Sequence, residues 1–195
     1  MLASVGDVPL NKAETPITDK NFMTKQELIK TFSDNHYTAI SYIQALPESH
    51  FSFRHNEKWA AGQQLKHILL TLLPFPKVLQ SKDFISEKFG TLERARWDYD
   101  AVRNNYLKTS RQAPKQFLPE EIATEQKELL IAQTEETLET ISQLLALYKE
   151  DELDRLALPH PLLGKLSIRE MFYLMSYHPI HHLNQIKANL TILNK

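Results

Sequence analysis

The chain has 195 residues, of which 42% are hydrophobic and 24% charged, and its formal net charge is -1. This balance is typical of one soluble globular domain, and it argues against a basic surface for nucleic acid or for an acidic membrane. The chain contains no cysteine and only four glycines. Disulfides, cysteine-bound metals, a protein thiol nucleophile and most glycine-rich phosphate loops are therefore excluded.

Residues 1–21 are polar and show neither the basic start nor the apolar run of a signal peptide. We expect them to form a loosely held arm before a single domain that spans residues 22–195. No apolar stretch approaches the roughly 20 residues that cross a membrane. The expected location is the cytoplasm, with which the absence of cysteine is compatible.

The first predicted helix begins at Thr24, because Glu27, three residues later, completes a capping box. Pro47 is predicted to end this helix, and residues 49–56 are predicted to form a loop. The apolar stripe of the helix contains Leu28, Phe32, Tyr37, Ile40, Ile43 and Leu46.

The second helix is predicted to begin at Trp59 or Ala60. Pro74 and Pro76 should kink or restart it, because proline lacks a backbone donor and clashes with the preceding turn. The buried stripe of this helix contains Leu65, Ile68, Leu69, Leu72 and Leu73, and Val78 and Leu79 are expected to continue the core.

Residues 81–119 are predicted to be a helical insertion, with one helix from Asp98 to about Thr109. Pro119 is predicted to occupy the first turn of a long helix that ends near Tyr148. The apolar stripe of that helix contains Leu129, Ile131, Leu138, Ile141, Leu144 and Leu145.

Residues 158–165 contain two prolines and a glycine and are predicted to form a loop. Ser167 and Glu170 form a second capping box, and the last helix is predicted over about residues 168–193. The helical periods together predict an all-α fold, a four-helix bundle with a helical insertion between helices two and three.

A pair of histidines in the last predicted helix is the chemical signal of the sequence. His178 and His182 are four residues apart, so their side chains lie on one face, about 5–6 Å apart at Cβ. Two imidazoles at this spacing can reach one ion at about 2.1 Å each, and neutral imidazole suits zinc, nickel, copper and iron(II). His67, among the leucines of the second helix, is the best candidate for a third ligand. A chance spacing with histidines packed in the core is the alternative.

The remaining histidines fit the pattern less well. His181 points about 100° away from His182 around the helix. We therefore expect it at the surface, or in contact with one of the metal-binding residues, and not bound to the ion itself. Pro179 is interpreted as a tolerated kink, although a kink could also turn His178 into the site. Solvated or loop positions are expected for His36, His50, His55 and His160.

Three segments carry a resemblance to a known family. They are WAAGQQLKH at residues 59–67, HPLLGKLS at residues 160–167, and HxxxHxxQI at residues 178–186. In this order they resemble the DinB/YfiT-like superfamily of metal-binding four-helix bundles, over roughly residues 24–190. Residues 88–119 are similar to the linker of one subgroup. Each motif is weak by itself, and their order carries the resemblance.

The resemblance implies an up-down-down-up bundle that holds a divalent ion, often nickel or zinc, with iron or manganese also compatible. Carried over residue by residue, the ligands would be His67, His178 and His182. Characterised relatives include thiol-dependent transferases and an isomerase, so the resemblance also suggests a low-molecular-weight thiol as cosubstrate. Many members have no established reaction, so the family does not determine the substrate.

Other residues near the histidines are candidates for supporting roles. Gln64 either orients His67 or faces solvent, and Gln185 either bonds a water at the ion or belongs to a polar helix face. Tyr177 is a candidate proton donor, although an aromatic residue at helical spacing usually packs in a core. Trp59 is expected to pack against the bundle rather than against a substrate.

A basic and aromatic run lies in the insertion and includes Arg94, Arg96, Trp97, Tyr99 and Arg103. We interpret it as a solvated face rather than as an anion site. No Asp or Glu lies within one turn of the paired histidines of the last helix, which argues against a zincin peptidase.

The sequence therefore favours a metal-dependent enzyme, a thiol transferase or hydrolase that acts on a small-molecule substrate. The alternatives are a non-catalytic bundle that binds a metal or ligand in sensing or stress response, and a structural bundle with packed histidines. A homodimer is also expected, because amphipathic helices leave apolar surface and C2 dimers are the commonest closed oligomers.

Overall fold

The structure is a computed structural model that describes residues 22–109 and 113–193, so the arm predicted over residues 1–21 lies outside the described residues. In chain order the helices are α1 (Lys25–Gln44), α2 (Glu48–Phe51), α3 (Ala61–Leu72), α4 (Pro74–Leu79), α5 (Lys82–Phe89), α6 (Tyr99–Leu107), α7 (Lys127–Ala146), α8 (Glu150–Arg155) and α9 (Ile168–Leu190). Short 3₁₀ helices, Lys115–Phe117 and Thr124–Gln126, precede α7, and an antiparallel pair of strands, β1 (Ala157–His160) and β2 (Gly164–Ser167), precedes α9.

Helices α1 and α9 run side by side in the same direction. The ring of Phe32 packs on that of Phe172 at 5.2 Å between centroids. One turn further along both helices, the amide of Asn35 donates to the carbonyl of Ser176 at 2.8 Å. This parallel pair places the middle of α9 deep in the bundle.

The other two members of the bundle run in the opposite direction. Gln64 at the start of α3 contacts Gln185 near the end of α9, and Lys127 at the start of α7 donates to the carbonyl of Gln44 at the end of α1. The four helices α1, α3 with α4, α7 and α9 therefore run up, down, down and up. The all-α prediction is confirmed, with α5 and α6 as the insertion.

Both predicted capping boxes are present. The hydroxyl of Thr24 accepts from the backbone of Glu27 at the start of α1, and Ser167 accepts from Glu170 at the start of α9. The predicted restart after the second helix is also present, because α4 begins at Pro74. Helix α9 continues through Pro179.

The start of the long helix was placed too early in the chain. Helix α7 begins at Lys127, not at Pro119. The residues between Pro119 and Lys127 instead contact other parts of the chain. Ile122 packs so closely on Gly62 that a Cβ atom added to this glycine would lie 3.2 Å from the side chain of Ile122. Glu121 forms an ion pair with Arg54 at 2.7 Å. The segment therefore crosses the end of the bundle before the helix starts.

Two segments predicted as loops contain regular structure. Residues 158–165 contribute to the hairpin of β1 and β2, in which Leu158 pairs with Leu166 and both side chains are buried. Gly164 follows the turn with φ +74°, a left-handed conformation that glycine adopts freely. Within residues 49–56, α2 forms because Pro47 fits the position before a helix and Phe51 is fully buried.

Several side chains predicted to be buried are exposed. Tyr37, Leu73 and Leu129 have exposed fractions of 40%, 51% and 61%. Each lies at the edge of its apolar stripe, so it turns toward solvent while its neighbours on the same stripe stay in the core. Conversely, His36 was predicted to be solvated but lies on the inner face of α1 and is 1% exposed.

The insertion does not present a freely solvated basic face. Both terminal nitrogens of Arg94 donate to the buried carboxylate of Glu170 at 2.8 Å. Arg96 pairs with Asp154 at 2.6 Å. These bonds attach the insertion to the start of α9 and to α8, which corrects the prediction. In the part of the chain that the structure describes, no helix is long and apolar enough to cross a membrane.

Candidate metal centre

Three buried histidines meet in the middle of the bundle. Helix α9 provides His178 and His182 on one face, and the antiparallel α3 brings His67 opposite them. The Nε2 atom of His178 lies 3.2 Å from that of His67 and 2.9 Å from that of His182. We call this group the three-histidine cluster. It joins the three residues that the sequence singled out, and it is consistent with a metal site.

Hydrogen bonds at the outer ring nitrogens fix two of the imidazoles. The Nδ1–H of His67 donates to the carbonyl of Phe117 at 2.7 Å, and the Nδ1–H of His182 donates to the side-chain oxygen of Gln64. Each ring then carries its proton on Nδ1, and its Nε2 lone pair faces the cluster. Donation from the second ring nitrogen to a carbonyl or carboxylate is a usual companion of metal-bound histidine.

A chain of side-chain amides continues outward from His182. Gln64 donates from its Nε2 to the side-chain oxygen of Gln185 at 3.1 Å, and Gln185 donates to Nε2 of His181 at 2.8 Å. Gln64 therefore orients His182 and not His67, which corrects the prediction. His181 does not belong to the cluster and ends this chain instead.

The third imidazole has a different environment. Nδ1 of His178 is buried and has no hydrogen-bond partner among the described residues. Nε2 of His36, on the adjacent helix α1, is buried and unpartnered in the same way. The Nδ1 of His36 donates to the carbonyl of Phe32, so its Nε2 carries a lone pair.

All three imidazoles of the cluster are held neutral. Burial lowers the pKa of His67 below its ordinary value. Burial, and then the neighbouring imidazoles, hold the pKa of His178 and that of His182 well below the usual range. Neutral imidazole is the form that binds metals. Nitrogen ligands 2.1 Å from a tetrahedral ion lie about 3.4 Å apart, close to the observed spacing, so these residues fit a divalent ion.

Two cavities meet the cluster from different sides. An apolar cavity of about 290 Å³ reaches His67 and His178. A polar cavity of about 600 Å³ reaches His67 and His182, and is also lined by Lys58 and Gln185. Tyr106, on α6 of the insertion, lines both cavities. The cluster is therefore buried in the bundle but open to molecules of moderate size.

Aromatic side chains surround the cluster. The ring of Trp59 lies 5.1 Å from that of His67 and stacks at 6.4 Å on that of His182. Trp59 also lines the polar cavity, so it borders the site as well as packing on the bundle. Tyr177 packs edge-on against Tyr106 and is only partly buried.

A family model for the DinB superfamily matches residues 26–186. The chain belongs to the DinB superfamily. The match includes every residue of the three-histidine cluster, as well as the insertion between α4 and α7. No significant match was found among curated proteins or among solved structures. Membership of the DinB superfamily establishes the fold and leaves the reaction open.

Several residues of this DinB site were not found by sequence reasoning. The carbonyl of Phe117 orients His67, but backbone groups carry no signal in a residue pattern. Tyr106 reaches the site because α6 packs on α9. His160 was predicted to be a solvated or loop residue, yet it is mostly buried and lines the apolar cavity. Its place in a motif of the DinB resemblance, HPLLGKLS, was the one available indication.

Proposed function

We propose that this protein is a metal-dependent enzyme that uses one divalent ion, nickel or zinc, held by His67, His178 and His182. Iron and manganese are the other ions that such a donor set accommodates. A divalent ion on three neutral imidazoles acts as a Lewis acid and lowers the pKa of a water or thiol bound to it. The observation that carries the proposal is the convergence of three Nε2 atoms in a buried site.

The cluster contains more hydrogen-bond acceptors than donors. His67 and His182 have committed their ring protons to Phe117 and Gln64, so the lone pairs of their Nε2 atoms face each other and His178. His178 has no partner at Nδ1 among the described residues, so its single ring proton can lie on Nε2 and donate to only one of these two acceptors. The other buried acceptor is left without a donor from the described residues, which is unfavourable. A divalent cation would accept the lone pairs of all three rings, which supports a metal site over histidines that merely pack in the core.

The reaction proposed is transfer of a thiol, or hydrolysis, at this ion. The chain has no cysteine, so a thiol has to arrive as a small cosubstrate. The polar cavity suits such a molecule, because Glu57, Lys58 and Gln185 line it and can bind its charged and polar groups. Gln185 is already hydrogen-bonded to Gln64 and His181. Its proposed role is therefore to shape the wall of the polar cavity rather than to act on the reacting atoms.

The first test is the metal content of protein purified without a histidine tag. We expect one divalent ion per chain in the wild type and none in His178→Ala, because the variant removes one of three protein ligands. His181→Ala is the matched control on the same helix and should keep the ion. Loss of the ion in His181→Ala with retention in His178→Ala would contradict the assignment.

The second test is activity. A panel of electrophiles and esters is assayed with glutathione, with bacillithiol and without thiol, using wild type and His178→Ala. Turnover only in the metal-loaded wild type is expected. Equal activity in both proteins would exclude the metal mechanism. A full metal site with no activity on any substrate would favour the non-catalytic binding bundle.

A homodimer in the cytoplasm remains part of the proposal. Exposed apolar side chains such as Leu129 and Leu147 support an interface between copies. Light scattering at micromolar concentration tests it, and a monomer near 22.7 kDa would contradict it.

A further inference from the structure

We propose that the apolar cavity beside the three-histidine cluster binds an uncharged, apolar organic substrate that carries one hydrogen-bond acceptor, and that His160 binds this acceptor through its Nε2–H. The inference names the substrate class of the site and in that respect rests on the proposed function. The binding step itself involves only side chains of this chain and does not require the ion.

The walls of the cavity explain why its occupant should be apolar. Side chains of α4, α9 and the hairpin contribute most of the surface, among them Phe75, Val78, Leu158, Met171 and Leu174. No Asp, Glu, Lys or Arg lines the cavity among the described residues. A charged molecule would lose its hydration here without gaining an ionic partner, and this is strongly unfavourable.

The volume sets the size of the substrate. An engineered apolar cavity of about 150 Å³ holds benzene, with six non-hydrogen atoms. The present cavity has about 290 Å³. In proportion, it accommodates about a dozen non-hydrogen atoms, the size of a bicyclic aromatic molecule or a medium-length aliphatic chain.

His160 lies in this apolar wall as one of few polar side chains, at the end of β1. Its Nδ1 accepts hydrogen bonds from the backbone N–H groups of Leu162 and Leu163, both at 3.2 Å. An imidazole nitrogen that accepts cannot carry the proton, so the neutral ring is protonated at Nε2. This N–H has no protein acceptor among the described residues, and a molecule in the cavity can supply one.

The two cavities therefore favour two different kinds of molecule. His67 and Tyr106 border both of them, and the polar cavity contains the charged side chains that the apolar cavity lacks. A hydrophilic cosubstrate and an apolar substrate can thus reach the cluster from separate sides. The arrangement suits a reaction that joins two unlike molecules.

The experiment compares two probes of nearly identical shape. 2-Acetylnaphthalene carries a carbonyl acceptor, 2-isopropenylnaphthalene has a methylene group in its place, and each has about a dozen non-hydrogen atoms. Binding is measured by calorimetry with the protein as purified and after removal of metal by a chelator. In both states the wild type should bind the ketone roughly two- to tenfold more tightly, the effect of one neutral hydrogen bond.

Three variants locate the binding. His160→Asn keeps a side-chain acceptor for the turn but removes the ring N–H, so it should abolish the preference for the ketone in the metal-free protein. Val78→Phe fills the cavity and should weaken both probes at least tenfold. Lys58→Met alters only the polar cavity and is the matched control, which should bind like the wild type. Circular dichroism verifies folding, and the uncharged His160→Ser, whose hydroxyl can still accept from the turn, replaces His160→Asn if the latter does not fold.

Each outcome decides between the two proposals. This inference would be overturned if the wild type bound both probes equally, or if His160→Asn kept the preference for the ketone. It would also be overturned if Lys58→Met and Val78→Phe weakened binding equally. Those results leave the metal analysis of His178→Ala untouched. If the probes bind as expected but the purified wild type contains no metal, this inference is retained and the proposed function is overturned.

Discussion

Helix α9 carries two clusters of buried polar side chains that are satisfied in different ways. In its first turn, the carboxylate of Glu170 accepts two bonds from Arg94 at 2.8 Å and one from the backbone N–H of Trp97 at 2.6 Å. About two turns later, Nε2 of His178 contacts Nε2 of His182 and of His67, and its single proton can satisfy only one of these two acceptors. The hydrogen-bonding groups of the first cluster are satisfied within the protein, whereas the second cluster has a nitrogen lone pair left for a ligand.

This difference separates a structural role from a functional one. A buried carboxylate with a bidentate guanidinium and backbone donors has little left to offer a ligand. Three neutral imidazoles with converging Nε2 atoms have unused binding capacity and a cavity on either side. Burial of polar groups alone therefore does not identify a site, whereas the bonds that remain unmade do.

The largest effect should follow from breaking the completed cluster. Arg94→Met leaves the carboxylate of Glu170, 1% exposed, without its cation. Removal of one partner of a buried ion pair typically lowers the free energy of unfolding by about 3–5 kcal/mol, and urea denaturation measures it. Arg54→Met is the matched control, because its pair with Glu121 is exposed and should contribute less than about 1 kcal/mol. Equal losses in both variants would contradict the comparison.

A second, smaller effect concerns the buried histidine between the two clusters. Burial lowers the pKa of His36 to about 4, whereas an unfolded histidine has a pKa of about 6.5. Between pH 6.5 and pH 4, His36 is protonated in the unfolded chain but neutral in the folded protein. The free energy of unfolding therefore falls as the pH decreases from 6.5 towards 4. At pH 5 the expected loss from this group is about 2 kcal/mol relative to pH 7.

The measurement compares the metal-free wild type with His36→Leu at pH 7 and pH 5. Around His36 lie the ring and carbonyl of Phe32 and, on α9, the titratable His178. Since His178 is present in both proteins, the difference between their pH dependences reports mainly on His36 and, to a smaller extent, on its effect on His178. The variant should lose about 2 kcal/mol less on acidification. His55→Leu, at a partly exposed position outside the core, should behave like the wild type, and identical slopes in all three proteins would refute the assignment.

The fold was largely predictable, because helical periods and caps are local. Thr24 and Ser167 signalled the starts of α1 and α9 correctly. The start of α7 was missed, since the contacts that hold Ile122 and Glu121 come from distant parts of the chain. The hairpin was missed as well, because its four-residue strands are too short for a clear alternation.

The candidate site was predictable only in part. The spacing of His178 and His182 and the apolar surroundings of His67 indicated the cluster. The partner of Gln64 was not predictable, because helix periodicity does not show how α3 is positioned along α9. Backbone acceptors such as the carbonyl of Phe117 have no signature in the sequence at all. The cluster thus follows from local pattern, whereas its hydrogen-bond environment depends on tertiary packing.

The smallest effect should come from the outer bonds of the cluster. Gln64→Leu removes the acceptor for Nδ1–H of His182 and leaves the ring free to rotate or to change tautomer, while all three ligands remain. Loss of such a partner typically weakens metal affinity 10- to 100-fold, so the ion should remain bound at saturation with a dissociation constant at least about tenfold higher. Competition with a chromophoric chelator measures the change, and His181→Ala, at the far end of the same hydrogen-bond chain, should change it by less than about threefold. If Gln64→Leu and His181→Ala have equal effects, the ring of His182 is held by packing against Trp59 rather than by its hydrogen bond. The packing of the rings would then determine the geometry of the cluster, and the hydrogen bonds around it would form as a result of that geometry.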